Sequence, residues 1–196
     1  MFCPKSNSGE NGVLVIPEGV TSIGDYGLSQ LSQATEIDLP FSLTTLGSLA
    51  FYQDRDIKRF CIPASVDTIM RSCFAYCYGM EELYCYPPEP LPIDDYTFYG
   101  RGEWNVTLYV PEASVEAYKN ADRWKIFGNF GQNIIPMKPG DMDLDGAIGV
   151  SDLIVVIDII LGETGDAMLK HNADTTGDKR IDVSDVTNMI DIILNE

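Results

Sequence analysis

The residues best suited to chemistry are aspartates that alternate along GDMDLDGAIGVSDL, residues 140–153. They occupy positions 1, 3, 5 and 12 of a twelve-residue loop: Asp141, Asp143, Asp145 and Asp152. Alternate side chains turn their oxygens toward one centre, Gly146 at position 6 permits the tight turn, and Ala147 at position 7 offers its backbone carbonyl. Four like charges this close repel one another unless a cation lies among them. The spacing predicts a Ca²⁺ site, because so many protein oxygens suit Ca²⁺ better than the smaller Mg²⁺.

The same spacing returns in a second loop that begins at Asp174, and a duplicated pattern is much stronger evidence than a single one. The second loop is expected to supply oxygens from six residues: Asp174, Thr176, Asp178, Arg180 through its carbonyl, Asp182 and Asp185. Two departures predict a second Ca²⁺ site that binds more weakly. Thr176 supplies a neutral oxygen at position 3, and Lys179 replaces glycine at position 6, where a positive φ costs a non-glycine residue about 1 kcal/mol.

An apolar segment with helical spacing follows each loop. The spacing predicts two inward faces, made of Leu153, Val156, Ile157 and Ile160 in the first segment and Val186, Met189, Ile190 and Ile193 in the second. No helix is expected to enter either loop, because Gly140 directly precedes the first loop and residues 171–173 directly precede the second.

This duplicated loop-then-helix unit, residues 140–196, resembles a type I dockerin. The resemblance implies that positions 10 and 11 of the two loops contact a cohesin domain of a scaffoldin-like partner: Val150, Ser151, Val183 and Ser184. Because both copies read VSD, the resemblance also implies that either copy can present the same surface, which permits binding in two orientations.

The chain before these loops repeats at nearly constant intervals. Strand-like pieces end in prolines at positions 17, 40, 63, 87 and 111, and two further columns keep the same register. The columns are Ile23, Leu46, Ile69 and Ile93, and then Leu28, Phe51, Phe74 and Phe98. Such a period predicts a solenoid, in which each repeat buries its apolar face against its neighbours. Four repeats are expected.

Alternation along each strand predicts which side chains face the core of this solenoid. The inward pairs are Leu14/Ile16, Ile37/Leu39, Phe60/Ile62, Tyr84/Tyr86 and Leu108/Val110. The residues between them are expected to face outward from a parallel sheet: Val15, Asp38, Cys61, Cys85 and Tyr109.

The repeats VIPEGVTSIGDYGL, DLPFSLTTLGSLAF and CIPASVDTIMRSCFAYC resemble the BspA-like leucine-rich repeats of bacterial surface and secreted proteins. The expected fold class is α+β: a short leucine-rich-repeat solenoid with a parallel sheet and a C-terminal cap, followed by a small all-α dockerin. The expected boundaries are a polar N-terminal tail at 1–11, the solenoid at 12–131 with its cap at 111–131, a linker at 132–139 and the dockerin at 140–196.

Composition excludes several classes of function. A net charge of −17, from 13 basic and 30 acidic residues, repels nucleic acid. No apolar run reaches the ~18 residues that a membrane helix needs, and the given N-terminus has no signal-peptide pattern. Five cysteines, an odd and sparse set, predict no disulfide framework. With a single histidine, His171, and no nucleophile or phosphate-binding motif, the chain is not expected to be an enzyme.

Together with the composition, the two resemblances imply a noncatalytic, extracellular or cell-surface protein. Its repeats would bind an unknown protein or glycan, and its calcium-dependent dockerin would anchor it to a cohesin. The alternative is a bacterial surface adhesin whose dockerin-like unit packs within the same chain as a structural calcium-binding cap. Cohesin binding by residues 140–196 would distinguish the two.

Overall fold

The computed structural model describes residues 12–32, 34–100, 106–129, 134–162 and 169–195, so the predicted tail at 1–11 lies outside the described residues. The chain divides into two compact units, Met1–Ile135 and Pro136–Glu196. Within the described ranges, no helix has both the length and the apolar character required to cross a membrane.

The first unit is a solenoid in which each repeat adds one short strand to a parallel sheet. The strand order is β1-β3-β5-β7-β8-β9, and β1 to β8 pair in parallel along it. The strands are β1 (Val13–Val15), β3 (Glu36–Asp38), β5 (Arg59–Ile62), β7 (Glu82–Cys85), β8 (Thr107–Pro111) and β9 (Ile134–Met137). Five repeats therefore lie side by side from β1 to β8, one more than the four expected.

A second parallel sheet runs through the predicted column that follows each proline. It contains β2 (Ser22–Ile23), β4 (Thr45–Leu46) and β6 (Thr68–Ile69) in that order. The fourth member of the column, Ile93, packs partly buried against the core but lies outside any strand. The prolines of YPPEPLPI explain why the second sheet ends before Ile93, because a proline has no N–H to donate to a ladder.

The third predicted column forms a continuous aromatic stack in the core. The ring of Phe74 lies nearly parallel to those of Phe51 and Phe98, at centroid distances of 5.2 and 5.4 Å. Phe60 packs edge-on against Phe51 and Phe74. All four rings are buried, so the aromatic column connects three successive repeats through the core.

The register of the fourth strand differs from the prediction. Leu83 and Cys85 belong to the core cluster, because Leu83 is the register partner of Phe60; Tyr84 and Tyr86 are also buried but lie outside that cluster. The period of the earlier strands continues unchanged up to this strand. The extra residue of the longer proline interval therefore lies between the strand and its proline.

This shift also changes the column on the other face of the sheet. Tyr84 is the register partner of both Cys61 and Tyr109, and the rings of Tyr84 and Tyr109 stack at 4.5 Å. Cys85 therefore does not share the outward column with Cys61. Burial raises the pKa of the Cys85 thiol to about 12, so this sulfur is an unreactive core atom at neutral pH.

The turns of successive repeats impose the same left-handed backbone on two columns of non-glycine residues. One column contains Tyr26, Leu49 and Ser72, with φ of 54°, 57° and 58°. The other contains Gln30, Gln53 and Tyr76, with φ of 56°, 61° and 62°. Such a conformation costs a side-chain-bearing residue about 1–2 kcal/mol. Backbone hydrogen bonds between neighbouring repeats, such as the 3.0 Å bond from Tyr26 to Ser48, offset this cost.

One buried acid interrupts the apolar interior of the turns. Asp54 occupies the position that Leu31 and Cys77 occupy in the neighbouring repeats, and its Oδ1 accepts the Leu31 N–H at 2.7 Å. Its Oδ2 is buried and has no hydrogen-bond partner among the described residues. Burial raises the pKa of Asp54 to about 8, so the folded chain holds this carboxyl protonated at neutral pH.

Because Asp54 keeps its proton in the fold, we expect the repeat unit to lose stability as pH rises. In the unfolded chain the group ionises near pH 4, whereas in the fold it keeps its proton up to about pH 8, so unfolding releases a proton between these values. The contribution is fully present below pH ~4 and falls by about 1.4 kcal/mol per pH unit up to pH ~8. We expect Asp54→Asn, which keeps the acceptor for Leu31, to remove this slope when urea unfolding is compared at pH 5 and pH 8.

Asp25→Asn is the matched control, because the exposed Asp25 makes the same kind of bond between repeats, accepting the Ser48 N–H at 2.8 Å. An equal pH slope in Asp54→Asn and the wild type would contradict the prediction.

A helical cap follows β8. It contains a 3₁₀-helix (Glu112–Ser114), α1 (Val115–Asn120) and α2 (Ile126–Asn129). Three large rings are fully buried beneath it, Tyr118, Trp124 and Phe127. The Trp124 Nε1 donates to the Leu91 carbonyl at 2.7 Å, and the Tyr118 hydroxyl donates to the Pro87 carbonyl at 2.9 Å. These bonds satisfy the polar atoms of the buried rings. The cap thereby covers the end of the core.

Among its described residues, 136–162 and 169–195, the second unit has three helices: α3 (Val150–Leu161), α4 (Lys170–Ala173) and α5 (Val183–Asn195). The one-turn helix α4 corrects the expectation that no helix precedes either loop. Val156 and Met189 are the fully buried apolar residues of α3 and α5, and these two helices pack against each other.

Candidate functional site

The first acidic loop is folded around the carboxylate of Asp141. Asp141 is buried, and its two oxygens accept backbone N–H groups from Asp145 at 3.1 Å and Gly146 at 2.9 Å. Gly146 has φ of 93°, in the region that favours glycine, as the spacing predicted. The loop therefore turns tightly enough for its own backbone to hold the first carboxylate in place.

Asp152 closes the same loop from the first turn of α3. Its Oδ1 accepts N–H groups from Met142 at 2.7 Å and Asp143 at 3.2 Å. Its Oδ2 accepts the Gly149 N–H at 2.8 Å, so the side chain also caps the start of the helix. One buried carboxylate thus ties the beginning of the loop to the helix that follows it.

The loop brings three carboxylates together. Oxygens of Asp141, Asp143 and Asp145 lie within 4.8 Å of one another. Burial raises the pKa of Asp141 above its ordinary value, and the charges of Asp152 and Asp143 raise it further. The Ala147 N–H donates to the Asp145 carboxylate at 2.8 Å, which orients that side chain. The arrangement concentrates negative charge and oxygen atoms at one point of the loop.

The second loop repeats most of this hydrogen-bond network at the equivalent loop positions. One bond differs: Thr175, at the position of Met142, donates its N–H to the Ala173 carbonyl at 3.0 Å and its hydroxyl to the Asp185 carbonyl at 3.2 Å. Asp174 accepts N–H groups from Asp178 at 3.1 Å and Lys179 at 2.9 Å, as Asp141 does from Asp145 and Gly146. Asp185 accepts N–H groups from Thr176 at 3.1 Å and Asp182 at 2.9 Å, as Asp152 does from Asp143 and Gly149. The two loops have the same fold despite their different residues.

The differences between the loops lie at the positions that the sequence indicated. Lys179 takes φ of 68° where the first loop has glycine. The Thr176 hydroxyl donates to the Asp185 carboxylate at 3.0 Å, which orients this neutral oxygen within the loop. Asp182 forms an ion pair with Arg180 at 3.1 Å. The pKa of Asp182 is lowered, first by hydrogen bonds from the Ser184 backbone and hydroxyl and then by the charge of Arg180.

Backbone contacts also link the loops within this unit. The Gly140 N–H donates to the Asn172 carbonyl at 2.8 Å, and the Asn172 side-chain amide donates to the Asp141 carbonyl at 2.6 Å. Asn172 of α4, which directly precedes the second loop in the chain, therefore holds the start of the first loop beside it.

The residues predicted to contact a partner are exposed in both copies. Val150 and Val183, at the starts of α3 and α5, expose 65% and 68% of their surface, and Ser151 and Ser184 beside them are also exposed. The spacing alone missed the continuation of this surface. Ile157 and Ile190, predicted to face inward, are exposed, as are Leu161 and Leu194 at the ends of the helices.

Comparison with known families identifies the repeats. A family model described as BspA type Leucine rich repeat region matches residues 6–120 in six copies. A search of curated proteins gives no match.

Proposed function

The chain belongs to the BspA-type leucine-rich-repeat family, and on that basis we propose that it is a noncatalytic binding protein of the cell surface or extracellular space. Leucine-rich repeats provide a protein-binding or adhesion surface, which suits an array of repeats that buries its apolar side and leaves a long face for partners. The second unit would then serve as a calcium-dependent dockerin that anchors the repeats to a cohesin. The observation on which this proposal depends is the duplicated loop-helix network.

The residues present fit Ca²⁺. Each loop holds its position 1 and position 12 carboxylates by backbone N–H groups, which leaves further carboxylate lone pairs available to a cation. The side chains of Asp141, Asp143, Asp145 and Asp152 and the Ala147 carbonyl would hold the first ion. In the second loop those of Asp174, Thr176, Asp178, Asp182 and Asp185 and the Arg180 carbonyl would hold the second. A bound cation would neutralise acidic side chains that otherwise repel one another.

The exposed helix surface supports docking. Val150, Ile157 and Leu161 on α3 correspond to Val183, Ile190 and Leu194 at the equivalent positions of α5, and all six are exposed. An apolar surface that repeats in this way is typical of a protein interface and is costly to leave in water. The match between the copies also supports two equivalent binding orientations.

The docking proposal is tested by calorimetric titration of the full chain with a panel of type I cohesin domains, in calcium and in EGTA. We expect binding in calcium only. Val150→Glu or Val183→Glu alone should retain binding, because the other copy remains, whereas the double variant should weaken it at least ~30-fold, the effect of losing about 2 kcal/mol at an interface centre.

Tyr109→Ala, in the sheet of the repeat unit, is the control and should leave cohesin affinity unchanged. Calcium binding without binding to any cohesin would contradict the docking role and favour a structural calcium-binding unit in an adhesin.

A further inference from the structure

Six tyrosines form a continuous line along the turns of the repeats, which we name the tyrosine stripe: Tyr26, Tyr52, Tyr76, Tyr78, Tyr96 and Tyr99. The main line runs from Tyr26 to Tyr52 at 6.3 Å, then to Tyr76 and to Tyr99 at 5.6 Å each, between ring centroids. Tyr78 lies 5.9 Å from Tyr76, and Tyr96 lies 5.6 Å from Tyr99. The stripe therefore crosses four successive repeats.

The stripe is a surface feature and does not belong to the core. Tyr26, Tyr78, Tyr96 and Tyr99 expose between 45% and 56% of their surface, and the other two rings are half-buried. Single exposed aromatic residues are ordinary, but a contiguous line of them marks an interaction site more often than chance packing.

The rings of the stripe are held in place before any ligand arrives. Tyr52 and Tyr99 each meet Tyr76 edge to face, at interplanar angles of 88°. Gly100 leaves space for the Tyr76 ring, since a Cβ there would lie 2.3 Å from a ring carbon. Rings that are already ordered lose little entropy on binding, which favours affinity.

Arginines lie beside the stripe: Arg71 and Arg123 are paired with acids, whereas Arg55 lies 5.7 Å over the Tyr78 ring. Arg71 lies 4.7 Å over the Tyr96 ring and pairs with Asp94 at 3.7 Å. Arg123 forms an ion pair with Asp95. With Arg71 and Arg123 already paired, the stripe presents mainly aromatic faces and hydroxyl groups to a ligand.

Polar groups accompany the rings. The Gln30 amide donates to the Gln53 side chain at 3.3 Å, and the Gln53 amide donates to the Tyr52 hydroxyl at 3.1 Å. Tyrosine hydroxyls and glutamine amides both donate and accept hydrogen bonds, and the ring faces are apolar. This combination matches a ligand that presents hydroxyl groups at its edges and C–H groups on its faces.

We propose that the tyrosine stripe binds an extended, uncharged polysaccharide whose successive sugar rings pack on the tyrosines. This inference rests on the proposed function of the repeats as a binding surface and names the class of ligand. A specific protein interface covers about 800 Å² on each partner, whereas a single file of rings offers a long narrow line. An extended sugar chain fits that shape.

The test is affinity electrophoresis of the full chain in native gels that contain xyloglucan, mixed-linkage β-glucan, galactomannan or, as the anionic probe, polygalacturonate. We expect at least one uncharged polysaccharide to retard the wild type. The variant Tyr52→Ala/Tyr99→Ala should weaken this retardation at least tenfold in apparent Kd, and Tyr52→Phe/Tyr99→Phe should keep most of it, because the rings remain. Neither position has a positive φ, and thermal unfolding verifies that each variant is folded.

Tyr109→Ala, on the sheet, is the matched control and should bind as the wild type does. Absence of retardation by every uncharged polysaccharide, retardation by polygalacturonate alone, or equal retardation of the Tyr52→Ala/Tyr99→Ala variant would overturn the proposal. The proposal would also be overturned if no polysaccharide bound and the Tyr52→Ala/Tyr99→Ala variant instead lost binding to a protein. In that case the repeats would still be a binding surface. Cohesin titration of the same variants measures the docking proposal separately.

Discussion

Replacement of Phe74 by alanine is expected to destabilise the repeat unit by about 3–5 kcal/mol, the range measured for large aromatic residues deleted from cores. Phe74 is 1% exposed and lies between the parallel rings of Phe51 and Phe98, with the Phe60 ring edge-on beside it. Its loss would interrupt the aromatic column at its middle. Because each repeat is stabilised only by its neighbours, a cavity there weakens the contacts on both sides.

Tryptophan fluorescence during urea unfolding measures this effect, because both tryptophans of the chain precede residue 136 and Trp124 is buried in the cap. Tyr78→Ala is the control, since it removes an aromatic ring that is 48% exposed. We expect it to cost less than about 1 kcal/mol. Equal losses in the two variants would show that Phe74 does not hold neighbouring repeats together.

The sequence predicted the aromatic column and the strands because every repeat buries its apolar side chains against its neighbour in the same way. Side chains one full period apart must stack when each repeat buries its face on the next, so periodicity alone locates Phe51 and Phe74. It could not locate the strand at Tyr84, because a lengthened interval does not say on which side of the strand the extra residue lies. The buried Leu83 and Cys85 decide this through packing that only the assembled core reveals.

The tyrosine stripe shows a different limit of periodicity. Tyr52 and Tyr99 share a column, because they directly follow Phe51 and Phe98, whereas Tyr26 and Tyr76 belong to two other columns. They become neighbours because adjacent columns lie side by side in the turns, so a ring in one repeat can contact a ring from the next column in the following repeat. A single period therefore does not identify such a line, because long exposed side chains contact one another across columns.

The acidic loops were more predictable than the helices after them. Hydrogen bonds between each aspartate and backbone groups a few residues away are local, so spacing determines them, as Asp141 and Asp152 illustrate. A helix of period 3.6 offers several apolar residues, and only packing selects which are covered. Val156 is fully buried, whereas the adjacent Ile157 is 37% exposed.

Calcium removal is expected to have the largest effect on the second unit. Titration of the full chain by calorimetry should show two Ca²⁺ ions, and Asp141→Ala or Asp174→Ala should each remove one. Asp141 and Asp174 are the position 1 carboxylates around which the loops fold, and without a cation the carboxylates of Asp143 and Asp145 repel Asp141. Saturation at 100 times Kd would stabilise the unit by about 2.7 kcal/mol for each ion. Chelation should therefore reduce the circular dichroism signal of α3 and α5.

Asp158→Ala and Asp191→Ala are the matched controls for this prediction. Both acids lie within the helices, at equivalent positions of the two copies, and their removal changes the net charge by the same amount as the loop variants. If the loops bind calcium, the controls should retain two ions, because long-range charge contributes far less than direct coordination. Two ions in the Asp141→Ala variant, or no binding heat and no change in helix signal on chelation, would contradict a calcium-dependent dockerin. In that case the exposed residues of α3 and α5 would need a different partner.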